Sequence, residues 1–309
     1  MFKILLATDG QPGADGAVRM AITLSRELEA QVEVVRAVEP MPVIGDGSAL
    51  SSITLDRANE QGRSAEALAR LEERMKSFGA LAASWPRSVE PGPAPYAIVR
   101  AAQEQEVSLI LMGAGRHNVM ERWFGSETAT RVVRVSHIPV LAVPERGGDR
   151  PRSLVAAVDF SGYSKKALEE TLPLCAPGSR IHLAHVIWPT PMDEPDFVAT
   201  EWYAKIEDRL SAELADWAET IEGLGDFDVE LHLLHGEIAD EVVQLADRVG
   251  AELVVAGSHG LGFMGRVLLG SVSKRLLRAA HSAVLIVPPT EPVIELAPTE
   301  NRVVESIFG

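Results

Sequence analysis

With 309 residues, 46% of them hydrophobic and 24% charged, the chain is about twice a common domain length of roughly 100–150 residues, which suits two compact units and excludes wholesale disorder. Its formal net charge of −15 repels a phosphate backbone and argues against DNA or RNA binding, yet leaves room for a small anion at a site stripped of carboxylates. The single cysteine, Cys175, excludes an intrachain disulfide; its place in the apolar helical pattern LEETLPLCA, without an evident basic neighbour, reads as a buried structural thiol.

The first residues, MFKILLATDG, hold too short an apolar run for a signal-peptide core, and no stretch approaches the ~20 apolar residues of a membrane span, so the cytoplasm is the expected compartment. Apolar runs without polar alternation follow in order: ILLAT, VEVVRAV, a poorly marked third strand around Ser84 to Glu90, LILMG and VLAV. Stretches of helical period separate them. Beyond the Pro/Gly/charge-rich join ERGGDRPR (Glu145 to Arg152), strands are expected near Ser153–Val158, Arg180–Ile187, Asp228–Leu234, Glu252–Gly257 and Ala283–Val287. Helices are expected near Tyr163–Cys175, Asp196–Glu222, Ile238–Val249 and Ser271–Ala280.

The two halves repeat one another. KILLATDGQPGADGAVRMAITLS resembles SLVAAVDFSGYSKKALEETLPL, which sets Asp9 and Asp159 in equivalent places; the segments beginning at Val107 and Ala251 match likewise, with Gly125 answering to Gly270. Strands apolar on both sides need cover on both faces, which crossover helices between parallel strands provide. The expected fold is therefore α/β, with a first domain at 1–146, a second at 151–290 and a C-terminal tail at 291–309 that reads either as a loose end or as an arm laid on a partner.

Gly257 to Ser271, GSHGLGFMGRVLLGS, holds five glycines and no acidic residue. Three readings compete for it. Gly260-Leu-Gly262-Phe-Met-Gly265 spells a dinucleotide fingerprint, but in the last strand-to-helix turn and with no acidic residue before His281, against both requirements of that fingerprint. A connector that merely needs positive φ is the bland reading. The third takes Gly257-x-x-Gly260-x9-Gly270-Ser271 as a cradle: bare backbone approaches a ligand, and the unpaired N–H groups of a helix start point at an anion. Arg266, Lys274, Arg275 and Arg278 make the segment locally positive, and a nucleotide polyphosphate suits it best.

This spacing, between the strand ELVVAG and the closing strand AVLIVP, resembles the nucleotide-binding signature of the universal stress protein family, and the resemblance spans both halves from Met1 to Pro289. It implies a tandem member of the family: two open sandwiches, each a five-stranded parallel sheet of order 3-2-1-4-5 with helices on both faces. It also implies ATP, or AMP or ADP, at the carboxyl edge, with Mg²⁺ as a possible companion. The resemblance assigns Asp159 to the adenosine portion, Val186 to the wall against the base, and Gly257, Gly260, Gly270 and Ser271 to the phosphates. Ala256, Val272 and Arg266 flank them. From its residues alone, Asp159 suits either the ligand or a cap on the following helix.

In the first half, GAGRHNVMERWFGSET keeps Gly113, Gly115, Gly125 and Ser126 but is one residue shorter; aligned on Gly125, it sets Gly115 at the Gly260 position and Met112 at the Gly257 position. Glu127 follows the serine, where a carboxylate competes with phosphate for the same donors. Asp9 and Val38 are taken as counterparts of Asp159 and Val186. Full nucleotide affinity is thus expected in the second half, with weakened, altered or absent affinity in the first.

Catalytic signals are thin. His182 and His185, like His232 and His235, stand three apart on expected strands, where they point to opposite faces and neither pair chelates one metal. No catalytic residue and no metal ligand is assigned. A nucleotide-dependent stress or regulatory factor is the leading reading, against a slow ATPase or phosphotransferase on the same loop and a scaffold without nucleotide. The apolar closing strands IPVLAV and AVLIV lie at sheet edges in the family order, so the halves are expected to pair there as an internal pseudo-dimer, with further homodimerisation and the protein partner left open.

Overall fold

The computed structural model describes residues 1–39, 49–115, 125–187, 197–259 and 269–289, and of these only the backbone for 49–61, 125–126 and 197–204. The expected tail at 291–309 lies outside the described residues.

The first half runs β1 (Lys3–Ala7), α1 (Asp15–Glu27), β2 (Gln31–Val38), α2 (Ala49–Ser77), α3 (Ala80–Ser84), β3 (Arg87–Pro91), α4 (Ala94–Glu104), β4 (Leu109–Gly113), α5 (Gly125–Val135) and β5 (Val140–Val143). The second runs β6 (Ser153–Ala157), α6 (Gly162–Thr171), β7 (Arg180–Ile187), α7 (Phe197–Glu219), β8 (Asp228–His235), α8 (Ile238–Val249), β9 (Leu253–Gly257), α9 (Ser271–Ala279) and β10 (Ala283–Val287). Successive strand residues alternate between two apolar cores: Ile4 and Leu6 join one, Leu5 and Ala7 the other. That double burial is why the central strands read as unbroken apolar runs. β3, RSVEP, is only half-buried because it lies at a sheet edge, which accounts for its faint mark in the sequence.

The strands form one ten-stranded sheet of order β3-β2-β1-β4-β5-β10-β9-β6-β7-β8, so each half has the expected order 3-2-1-4-5. Pairs within each half are parallel. The halves meet where β10 pairs antiparallel with β5, Leu285 opposite Leu141, so each closing strand covers the other's open edge. Both apolar cores continue across this seam.

The join between the halves is tied down. Arg19 Nε donates to Gly147 O (3.1 Å) and Thr23 Oγ1 to Gly148 O (2.8 Å). Arg150 bridges the halves, pairing with Glu27 (3.3 Å) and donating to Pro173 O (2.9 Å), Leu174 O (3.3 Å) and Cys175 O. The Cys175 thiol is buried and donates to Thr171 O (3.7 Å); burial pushes its pKa up to about 12, outweighing the opposite pull of Arg150. A thiol held protonated in this way is no nucleophile at neutral pH.

Strand register corrects two of the expected equivalences. Ile4 pairs with Leu109 as Leu154 pairs with Leu253, and Gly113 pairs with Val143 as Gly257 pairs with Val287. Gly113, not Met112, therefore stands at the Gly257 position, and the one-residue difference falls in the loop beyond. Similarly, Ile4 pairs with Val32 and Leu154 with Ile181, which makes Ala37, not Val38, the counterpart of Val186. Side-chain alternation then turns Val38 away from the face that Ala37 presents.

Gly113 is held by packing. A Cβ there would stand 2.5 Å from Gly13 O and 2.9 Å from Ala14 Cα, whereas at Gly257 the nearest atoms are His259 O (3.1 Å) and Tyr163 Cβ (3.3 Å). Gly113→Ala is expected to cost about 1–3 kcal/mol of stability through overpacking against backbone, and Gly257→Ala less. Urea denaturation of the two variants checks the order; equal midpoints would contradict it.

Candidate functional site

The switch point of each half lies between β1 and β4, and between β6 and β9, at the carboxyl ends of the strands where open α/β sheets as a class hold their ligands. In the second half Asp159 follows β6. Its Oδ1 accepts from Ser161 N (3.0 Å) and Ser161 Oγ (2.5 Å), and Ser161 Oγ in turn accepts from Ser164 N (3.1 Å) as the N-cap of α6. The carboxylate therefore supports the cap through Ser161 instead of capping the helix itself. Phe160 between them has a left-handed φ of 60° and packs on His185, their ring centroids 4.4 Å apart.

Opposite this loop, β9 ends at Gly257 and α9 begins after Gly270. Gly270 N donates to Ser258 O (3.0 Å) and Ser273 Oγ to Gly257 O (2.8 Å), so strand end and helix start are clipped together. A Cβ on Gly270 would stand 3.1 Å from Ser258 O, which explains the glycine. Since the Gly270 N–H is engaged, the donors facing outward at this helix start belong to the following residues. Among the described residues no side chain caps α9, and its first turn holds no acidic residue; Ser271 is exposed, while Val272 packs on the core. Arg275 is bound to Glu237 (3.3 Å) and Asp240 (2.5 Å) at the start of α8, which removes it from the expected positive group. Gly260 and Arg266 lie outside the described residues.

Val186 and Ala256 are buried on the same core face, on β7 and β9. Sequence reasoning missed Tyr163, whose half-exposed ring stands on the first turn of α6 against Gly257, its centroid 6.3 Å from that of His259. Its signal was its place four residues after Asp159, at the start of the helix that faces the glycine strand.

In the first half a cavity of ≈ 680 Å³ opens at the same edge, lined by Asp9, Ala37, Met112, Gly113, Gly115 and Thr128 among others. Asp9 Oδ1 accepts from Gln11 N (2.9 Å), and Val38 does not line the cavity. Gly125 and Ser126 open α5, but Glu127 in its first turn adds negative charge where α9 has none, and is paired with Arg131 (2.5 Å).

Three histidines of the second half, His182, His232 and His259, have pKa values lowered, in each case chiefly by burial. Each binds its proton more weakly folded than unfolded, so their contribution to stability is complete above the unfolded value near 6.5 and is lost as pH falls from there through the folded values. The urea midpoint is expected to drop between about pH 7.5 and about pH 5. A midpoint that stays level or rises on acidification would contradict this.

Fold and switch points define a tandem doubly wound α/β protein. The Universal stress protein family sequence model matches residues 1–144 and 151–288, and the chain belongs to that family. A universal stress protein of Mycolicibacterium smegmatis is 23% identical over 297 residues, 93% of this chain and 97% of its own. The crystal structure of a universal stress protein from Archaeoglobus fulgidus DSM 4304 superposes with a TM-score of 0.58 at 18% identity, covering 93% of this chain and 96% of that one. A universal stress protein solved in complex with cAMP is 29% identical and covers 46% of this chain and 100% of its own, with a TM-score of 0.32. Among the described residues no helix is long and apolar enough to cross a membrane.

Proposed function

We propose that this tandem universal stress protein binds an adenine nucleotide in its second half and acts as a nucleotide-dependent regulatory factor. The observation that carries the reading is the start of α9: a helix of nine residues whose positive end has no side-chain cap among the described residues and no carboxylate in its first turn, clipped beside the strand end at Gly257. The phosphates meet the N–H groups of Ser271 and Val272 and the Ser271 hydroxyl, and Gly260 and Arg266 are the further residues that the family resemblance and the positive charge of the segment assign to them. Asp159, at the end of the first strand of this half and hydrogen-bonded to Ser161, is the group for ribose or adenine donors, and Val186 and Ala256 are the buried residues beside it. ATP brings the polyphosphate anion and the adenine ring that such a site distinguishes, and Mg²⁺ accompanies it as the counter-ion.

The first half has a cavity large enough for the same ligand, within the roughly 300–1,000 Å³ of small-molecule sites. Glu127 weakens its hold on phosphate, so Asp9, Gly113, Gly115, Gly125 and Ser126 make the lesser site, with Ala37 in the place first assigned to Val38. Calorimetric titration of the full chain with Mg·ATP tests the reading. One saturable site, with a second at least tenfold weaker, is expected; absence of saturable binding at millimolar ATP removes it. Nucleotide then acts by shifting the population of the surface a partner reads.

A further inference from the structure

We propose that the opposite, amino-terminal edge of the second half holds a divalent transition-metal site of the zinc class, made by His182, Glu230 and His232. These residues stand on neighbouring strands: His182 pairs with Glu230 across β7 and β8, and His232 lies two positions further along on the same face. Their donor atoms converge. His182 Nδ1 is 3.0 Å from His232 Nε2 and 3.4 Å from Glu230 Oε2, which lies 3.8 Å from His232 Nε2. The point equidistant from the three lies about 2.0 Å from each, the length of a zinc–imidazole or zinc–carboxylate bond.

The donor set suits the metal chemically. His182 is buried and His232 three-quarters so, and imidazole nitrogen and carboxylate oxygen are both ligands that zinc takes. Without metal, one ring donates its N–H to the other; on binding, the donor ring takes the tautomer that carries its proton on the nitrogen turned away from the ion. Glu230 Oε1 is 3.3 Å from Arg180 Nε, itself 2.9 Å from Asp228 Oδ2, so the carboxylate's far oxygen is anchored while Oε2 faces the rings. Arg180 and Arg248 are the cations facing the cluster, with Glu230 and Asp228 opposing them. A cavity of ≈ 410 Å³, walled in part by His182 and Glu230, gives the ion access and leaves room for a fourth ligand, a water or an exogenous anion. Three protein ligands with an open fourth position is the arrangement of zinc sites that activate a bound ligand. The site shares no residue with the nucleotide crevice and does not rest on it.

The test is calorimetric titration of the untagged, chelator-treated full chain with zinc chloride, alongside cobalt(II) followed by its visible absorption. Wild type is expected to take up one equivalent of zinc, with cobalt bands of low coordination number and an increase in melting temperature. His232→Gln and Glu230→Gln, both at the sheet edge, are expected to weaken binding roughly tenfold or more and to abolish the zinc-induced shift, with metal-free circular dichroism unchanged. No saturable zinc binding by wild type overturns the proposal. So does binding of equal strength in both variants, which would place the ion elsewhere, for example at His281 and Asp247, 3.2 Å apart on the surface. ATP affinity should be the same in wild type and these variants, so the two sites fail or stand separately.

Discussion

Ser271→Asp is expected to weaken ATP binding by about tenfold to a hundredfold while leaving the chain as stable as before or slightly more so. The two effects have opposite signs for one physical reason. A carboxylate in the first turn of a helix complements the macrodipole and stabilises it by about 0.3–1 kcal/mol. The same carboxylate repels a bound phosphate, and two like charges several ångströms apart at a protein surface lose on the order of 1–4 kcal/mol. Ser271 is exposed, and α9 has no acidic residue in its first turn, so the change touches no packing. Calorimetry with ATP and urea denaturation read the two effects independently. The natural comparison is Glu127 in the first half, where Glu127→Gln should tighten the lesser site. If Ser271→Asp left ATP affinity intact, the phosphates would not lie at this helix start.

The seam between the halves should make the chain unfold as one body. Leu141 and Leu285 face one another across β5 and β10 and are 2% and 1% exposed. Leu285→Ala and Leu141→Ala are each expected to cost about 2–5 kcal/mol, a large share of a stability of roughly 5–15 kcal/mol, because the cavity would open at the centre of the sheet. Since the residues touch one region, the double variant should depart from additivity by about 0.5–3 kcal/mol. Far-UV circular dichroism in urea is expected to give one transition that moves as a whole in both variants. Two resolved transitions, with only one displaced by Leu285→Ala, would mean that each half unfolds by itself.

The pairing of closing strands that produces this seam was legible in the sequence, because IPVLAV and AVLIV are too apolar to be left at an open edge. Other features were legible only in part. The positive charge expected around the glycine loop omitted Glu237 and Asp240, which lie 38 and 35 residues before Arg275 and meet it only because α8 packs beside α9. His182 and His232 were set aside as ligands because each was considered with its neighbour on its own strand. That reasoning holds within a strand: His185 bonds Val158 O (2.8 Å), away from the cluster. The convergence comes from the adjacent strand.

By itself the sequence determined the duplication, the α/β alternation and the helix start free of carboxylates. Each of these follows from local burial: a strand covered on both faces must be apolar throughout, and a helix start free of carboxylates attracts an anion wherever it is placed. Tertiary structure alone decided which residues became equivalent and which became neighbours. Register put Ala37 in place of Val38 and Gly113 in place of Met112, directed the Gly270 N–H to Ser258, and brought Glu230 and His232 to His182. A shift of one residue along a strand turns every side chain to the other face at no change in composition, so register is fixed by non-local pairing and not by the run of residues within the strand.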